Sequence, residues 1–410
     1  MRDSFWIVIF SLTLALAYSP QAKTITITAA DSFKKAVESA SENDTIIVTA
    51  GIYGENEIEI NKRITIIGQG FPVIDGESKS WVISVRASGV TIAGLTIKSS
   101  AVSFIQDNAA LLLEDVHDCT IVNNRFVNNF FAIYLAKSYN CRIANNTIES
   151  SALSEPSSGN GIHLWYCRDI VIENNSITGH RDGLYFEFVK HSTITRNTSY
   201  KNLRYGLHFM FSDSCNYSRN WFYENGAGVA VMYTHFVRMT ENRFERNWGP
   251  SSYGLLLKDI TDSKIDNNYI YKNSVGLYAE ACNRLTVTNN EFIENGWAVK
   301  IMSNSLDNKF SQNNFIGNSF QVSTNGRQNF STFDNNYWSN YRGYDLDRDG
   351  FGDVPFRPVS LFSIVVEKEP ATLILLRSLL IETFDLIERL IPSLTPETLI
   401  DNKPAMRPFK

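Results

Sequence analysis

The chain has 410 residues, a formal net charge of −5 and five cysteines. Its lysines and arginines are scattered without a basic stripe, which argues against a nucleic-acid binder, and five cysteines cannot all pair within one chain. The length would suit two or three ordinary domains, but an internal repeat overrides that estimate.

In chain order, Arg2 leads an apolar run from Phe5 to Leu16, and Ala15-Leu16-Ala17 fits a small-x-small cleavage site. Residues 1–22 therefore read as a signal peptide, too short for a membrane span. Lys23–Thr28 reads as a short strand. Asp31–Ala40 reads as an amphipathic helix with Phe33, Ala36, Val37 and Ala40 on one face, placed to cap a first turn. Short strands follow, with alternating Ile58, Ile60, Ile64 and Ile66.

An asparagine then recurs at Asn124, Asn146, Asn175, Asn197, Asn220, Asn242, Asn268, Asn290, Asn313 and Asn335. The steps are 22, 29, 22, 23, 22, 26, 22, 23 and 22 residues. An apolar residue stands three before most of them and another two after, as in Ile121 and Phe126. Such a period predicts an all-β solenoid: a right-handed parallel β-helix with three strands per turn. The asparagines are expected at corners, tolerating left-handed angles and bonding amide to amide. Cys119, Cys141, Cys167, Cys215 and Cys282 keep fixed offsets from them and read as buried core residues.

The third strand of each turn follows a small residue, as in Gly206-Leu-His-Phe-Met. Alternation turns its second and fourth residues outward. One outer column then runs Tyr134, His163, Tyr185, His208, Ala230, Leu256, Tyr278, Lys300. The next runs Ala136, Trp165, Glu187, Met210, Met232, Lys258, Glu280, Met302. Three of the five methionines after residue 22 share this column, with His163 and His208 beside them and His235 close behind Met232. Thioether and imidazole form a soft set suited to Cu(I). Methionine also suits a protein-docking surface, and the two roles are compatible. The long steps place insertions at Ser150–Asn160 and around Trp248, both just before the third strand, so both should frame this face. Trp165 and Trp248 are docking candidates.

Asp345, Asp347, Asp349 and Asp353 alternate around Gly350 like a calcium loop, without the glutamate expected at position twelve. A hydrogen-bonded Asp turn is the alternative. Leu373 to Ile391 then predicts a helix apolar on several faces. Leu375, Leu376, Leu379, Leu380, Phe384, Ile387, Leu390 and Ile391 exceed what a folded-back cap needs, which points to docking. The expected division is a signal peptide at 1–22, a β-helix at 23–366 and a docking tail at 367–410.

The N-terminal cap, the repeats, the segment Asn335-Asn-Tyr-Trp338-Ser-Asn-Tyr341-Arg-Gly-Tyr344 through Asp353, and the apolar tail together resemble the NosD family. These are periplasmic accessory proteins for maturation of nitrous oxide reductase. The resemblance implies a non-enzymatic assembly protein, membrane-associated through its partners. Those partners would be inner-membrane ABC-type transporter subunits, a copper chaperone lipoprotein and nitrous oxide reductase, with copper passed transiently and no nucleotide in this chain. The tail would dock the transporter. The competing class is a secreted polysaccharide lyase, epimerase or carbohydrate-binding β-helix, with Glu187, Lys258, Glu280 and Lys300 offering acid–base groups. Neither outer column contains an arginine to hold a uronate.

Overall fold

The computed structural model describes residues 22–410 apart from 104, 250, 251, 327, 377, 380–382, 385–386, 388–390 and 392–398. The signal-peptide reading falls on residues outside the described set. From residue 24 the chain coils into three parallel sheets of 14, 13 and 12 strands, each turn contributing one strand to each sheet. Every strand pairs with its equivalents on the neighbouring turns, as Ile121 does with Ile92 and Ile143. Alternate side chains therefore stack into inward columns. Ile121, Ile143, Ile172 and Ile194 fill one, and Phe222, Phe244, Phe292 and Phe315 fill part of another, all buried. Met239 is buried in this core, in the expected inward slot. All five cysteines are buried and free.

The asparagine ladder is directional. Asn220 receives the backbone N–H and the Nδ2 of Asn197 on its Oδ1, at 2.9 and 3.1 Å. It passes the same pair of bonds to Asn242, both at 3.0 Å. Its Nδ2 also donates to the Ile194 carbonyl at 2.9 Å. These asparagines do not adopt left-handed angles, contrary to expectation. The residue before each one does: Asn123, Asn145, Asn174, Arg196, Arg219 and Glu241 all have φ between 54° and 57°. A buried amide bridging two turns needs a regular backbone, so the exposed neighbour takes the bend. The same shift corrects the last rung. Asn313 donates to Asn336, which is fully buried, whereas Asn335 occupies the left-handed corner at φ 56°.

The first turn is capped by helix α1, Phe33–Ser39. Ser32 caps its start by accepting from Lys35, and Phe33, Ala36, Val37 and Ala40 cover the open core. The other end closes differently from expectation. After the tail, residues from Leu399 onward return to the last coil, where Phe333 bridges to Asp401 and Tyr337 to Ala405. The final segment, counted with the tail in the division expected from the sequence, lies against the last coil.

Three loops leave the same rim, each between the 13-stranded and the 12-stranded sheet. They follow Thr96–Lys98, Thr147–Glu149 and Arg243–Glu245. The second holds a short 3-10 turn, Glu155–Ser157. The two loops placed by the long repeat steps are in the expected position; the first precedes the regular repeats and left no irregular step to mark it.

Candidate functional site

The site is built on the outer side of the 12-stranded sheet, which carries the third strand of every turn. Tyr205–Met210 pairs with Ala227–His235, with His208 opposite Ala230 and Met210 opposite Met232. The two methionines therefore occupy one slot on adjacent turns, about 4.8 Å apart at Cα. Both are half-buried. Glu187 continues their column below and Lys258 above. Ala227 and Ala230 leave a low floor between His208 and Leu256.

His208 is held by its own surroundings. Its Nδ1 lies 3.6 Å from the Asp182 carboxylate and 3.3 Å from the Arg204 guanidinium. Its Nε2 is buried and has no hydrogen-bond partner among the described residues. The Arg204 guanidinium can only donate, so against it Nδ1 accepts and Nε2 carries the proton of the neutral ring; Nε2 is freed for a metal when Nδ1–H turns to the Asp182 carboxylate instead. His163 is not its partner. Tyr185 lies between them, with ring centroids 4.7 Å from His163 and 5.1 Å from His208. The two histidines are two turns apart and cannot meet on one ion. His163 bonds Asn160 instead, at 3.0 Å. Burial and then the nearby Arg181 push its pKa down to about 3, so it is neutral at physiological pH.

Two sequence-predicted ligands are not brought to this place. His235 lies past a corner at Tyr233, which has φ 56°, and its Nδ1 meets the Thr261 hydroxyl. Met302 falls just beyond the strand Trp297–Ile301 and is buried, four turns along the column from Met210 and three from Met232. Of the Met/His residues singled out in the sequence, the fold places Met210, Met232 and His208 on neighbouring slots of this face.

Two arginines were missed. Arg181 and Arg204 stand two residues before Gly183 and Gly206, outside the counted columns, yet both reach this face. Arg204 binds the fully buried Asp182 with two bonds, 2.9 and 2.5 Å. Searching two positions ahead of each glycine would have found them. Burial raises the Asp182 pKa, but His208 and Arg204 together outweigh it and hold the carboxyl below its usual range. A depressed folded-state pKa contributes stability above the unfolded value of about 3.9, lost as pH falls through the folded value. Arg204→Ala should therefore cost about 3 kcal/mol at neutral pH. The deficit relative to the parent chain should shrink at acid pH, as measured by urea unfolding at both.

The acidic loop brings carboxylate oxygens of Asp345, Asp347 and Asp353 within 4.8 Å of one another, a group able to hold a cation. Asp349 stands apart and accepts the Phe351 N–H at 2.8 Å. The missing twelfth-position glutamate has a structural reason. Phe356 packs on Trp338 at 5.0 Å and its backbone pairs with Asp401.

The tail begins with helix α2, Leu361–Lys368, and a 3-10 turn, Pro370–Leu375. Helix α2 does not cap the end. It lies on the same outer face, where Phe362 and Val366 cover Val275, Trp297 and Phe320. Glu367 binds Lys300 at 2.7 Å, removing that lysine from the open face. Leu375, Leu376 and Phe384 pack against this cluster. Leu379 and Ile391 are exposed, Ile387 is half-buried, and Leu380 and Leu390 lie outside the described residues. Trp165 is half-buried beside Tyr166, and Trp248 is exposed on its loop. No described helix is long and apolar enough to cross a membrane.

Residues 148–343 match the family described as periplasmic copper-binding protein (NosD). A probable ABC transporter binding protein NosD of Stutzerimonas stutzeri is 28% identical over 380 residues, covering 87% of this chain and 86% of that one. Its counterpart in Pseudomonas aeruginosa is 27% identical over 381 residues, covering 88% and 87%. Among solved structures, the A-module of the Azotobacter vinelandii mannuronan C-5 epimerase AlgE6 superposes with a TM-score of 0.62 at 14% identity, covering 74% of this chain and 94% of its own. The catalytic unit of an α-1,3-glucanase from Streptomyces thermodiastaticus gives 0.56 at 11% identity, covering 75% and 67%. At such identities the two structures share the fold alone.

Proposed function

This chain belongs to the NosD family, and from that premise we propose that it is a periplasmic copper-handling assembly protein. It docks an ABC-type transporter and a copper chaperone, and it serves the copper sites of nitrous oxide reductase. The observation that carries the copper part is the set Met210, Met232 and His208: two thioethers in one slot, beside an imidazole whose Nε2 is unpartnered. Such a set takes Cu(I) as cargo, weakly enough to release it. The two thioethers stand half-buried on an outer face, where a donor and an acceptor protein can both reach them, while the His208 Nε2 lies buried beside them and must be uncovered to join. The transporter part is supported by the two relatives, each described as a probable ABC transporter binding protein. The exposed apolar residues of the tail, Leu373, Ile374, Leu379 and Ile391, offer the surface for it. Asp345, Asp347 and Asp353 would hold calcium in a structural role.

The test is Cu(I) titration of the mature chain under reducing conditions. Met210→Leu with Met232→Leu preserves volume and should weaken binding about a hundredfold. Unchanged affinity would remove the direct-ligand role. Deleting residues 373–391 should abolish co-purification with the transporter; retained association would refute docking through the tail.

A polysaccharide lyase or epimerase gains one point from Arg181 and Arg204 on this face. It loses more. Arg204 is engaged by Asp182, the Tyr185 hydroxyl by Glu187 at 3.4 Å, and Lys258 by Glu280 at 3.0 Å. We expect no turnover of alginate or polygalacturonate.

A further inference from the structure

Beside the methionine face, at the corner ending the third strand, four aromatic rings form an external stack: Tyr166, Phe188, Phe211 and Tyr233. Successive ring centroids are 4.4, 5.3 and 5.0 Å apart, and the planes are within 25° of parallel. All four residues have positive φ, between 49° and 56°. That conformation is costly for bulky residues and cheap for Asn, Asp or Gly. The same corner is taken by Asp115, Lys137 and Asp259 on other turns. Among the described residues, four of the six Phe, Tyr or Trp at positive φ belong to this stack. Tyr166, Phe211 and Tyr233 are also exposed. Strain and exposure together, confined to consecutive turns, mark a surface kept for something other than stability.

Tyr166, Phe188 and Phe211 form one wall of a groove of about 440 Å³, and Lys137, Arg168 and Lys190 stand along it. Lys137 and Lys190 make no ion pair among the described residues, and Asp213 ends the row. In a chain of net charge −5 this local row is basic. We propose that the groove docks an acidic amphipathic helix of a partner protein.

Three arguments select that occupant. The rings cover one another's faces and present edges to solvent. A sugar ring needs a free face, whereas apolar side chains pack on edges. The rung spacing, about 4.8 Å, comes within about 0.6 Å of the 5.4 Å helical pitch. An extended strand repeats its same-side residues at about 6.8 Å and slips out of step after one rung. The cationic row then fits acidic residues flanking the apolar stripe. The inference does not depend on copper, since none of these residues belongs to the Met/His set.

The experiment measures fluorescence anisotropy of a stapled helix bearing leucines at i, i+3, i+4 and i+7 and glutamates elsewhere, added to the mature chain. A helix with lysines replacing the glutamates, and an oligogalacturonate, are the comparison probes. The glutamate helix should bind, and the lysine helix and the sugar should not. Phe188→Asn with Phe211→Asn keeps left-handed angles accessible, so the fold survives, and should weaken binding about tenfold. Lys190→Glu, a surface change, should do the same and should reduce the salt dependence. Equal binding of both helices, unchanged affinity in either variant, preferential binding of the sugar, or dimerisation of the chain through this ridge would overturn the proposal.

Discussion

Replacing Asp401 with alanine should lower unfolding stability by about 5 kcal/mol, read as a large loss of midpoint in urea or thermal melting. Asp401 is fully buried and accepts five N–H bonds. Three come from the backbones of Asn335, Asn336 and Lys403, one from the Asn336 amide and one from the Trp338 indole. Asn336 and Trp338 are themselves buried, so their donors are left without partners or water. Each orphaned buried donor costs about 1–3 kcal/mol. The aspartate is also the logical end of the ladder. Every asparagine accepts from the turn before and donates to the turn after. The last group has no turn to donate to, and a carboxylate only accepts. Asp401→Asn should recover part of the loss at most, since its NH2 must face one set of donors. Stability within about 1 kcal/mol of the parent would show that the returning segment does not hold the end.

The second large effect is Asn220→Asp, expected to cost about 4 kcal/mol at neutral pH. The new oxygen stands where Nδ2 donated to Ile194 and Asn242, so it faces two acceptors. Burial and these acceptors should raise the pKa of the introduced carboxyl. The sign then opposes that of Asp182. A raised folded-state pKa makes the variant relatively more stable at acid pH, and the benefit is lost as pH rises through that value. Urea unfolding across pH 4 to 8 should therefore show its deficit against the parent widening with pH. A flat difference would mean that the site is wet or that the rung is dispensable.

The fold was legible because a stacked turn repeats its constraints. Ile121, Asn124 and Phe126 recur in step because the same inward slot and the same amide bond recur. What escaped were interactions off the repeat. Met302 looked outward because its spacing from Ala298 matched Met210, but the strand ends at Ile301 and Met302 is buried. Arg181 and Arg204 lay one slot outside the counted columns. Asn335 and Asn336 were adjacent alternatives that only the corner geometry separates. Asp401 pairs with residues more than sixty positions earlier, without periodicity to announce it. The aromatic stack at Tyr166, Phe188, Phe211 and Tyr233 was periodic all along, but bulky residues are not expected at left-handed corners, so that register was not counted.

Because Asp401 fastens the chain again after the tail, the exposed apolar stretch is tethered at both ends, with helix α2 clamped to the wall on one side and the last coil on the other. A free tail would let a bound transporter swing without disturbing the β-helix. A segment anchored twice acts as a handle: displacement of the gripped residues loads Phe362 and Val366 at one end and the terminal rung at the other. If a membrane partner grips this stretch as proposed, its conformational cycling would be geared to the last coils of the solenoid, and through them to the position of the Met210–Met232 face.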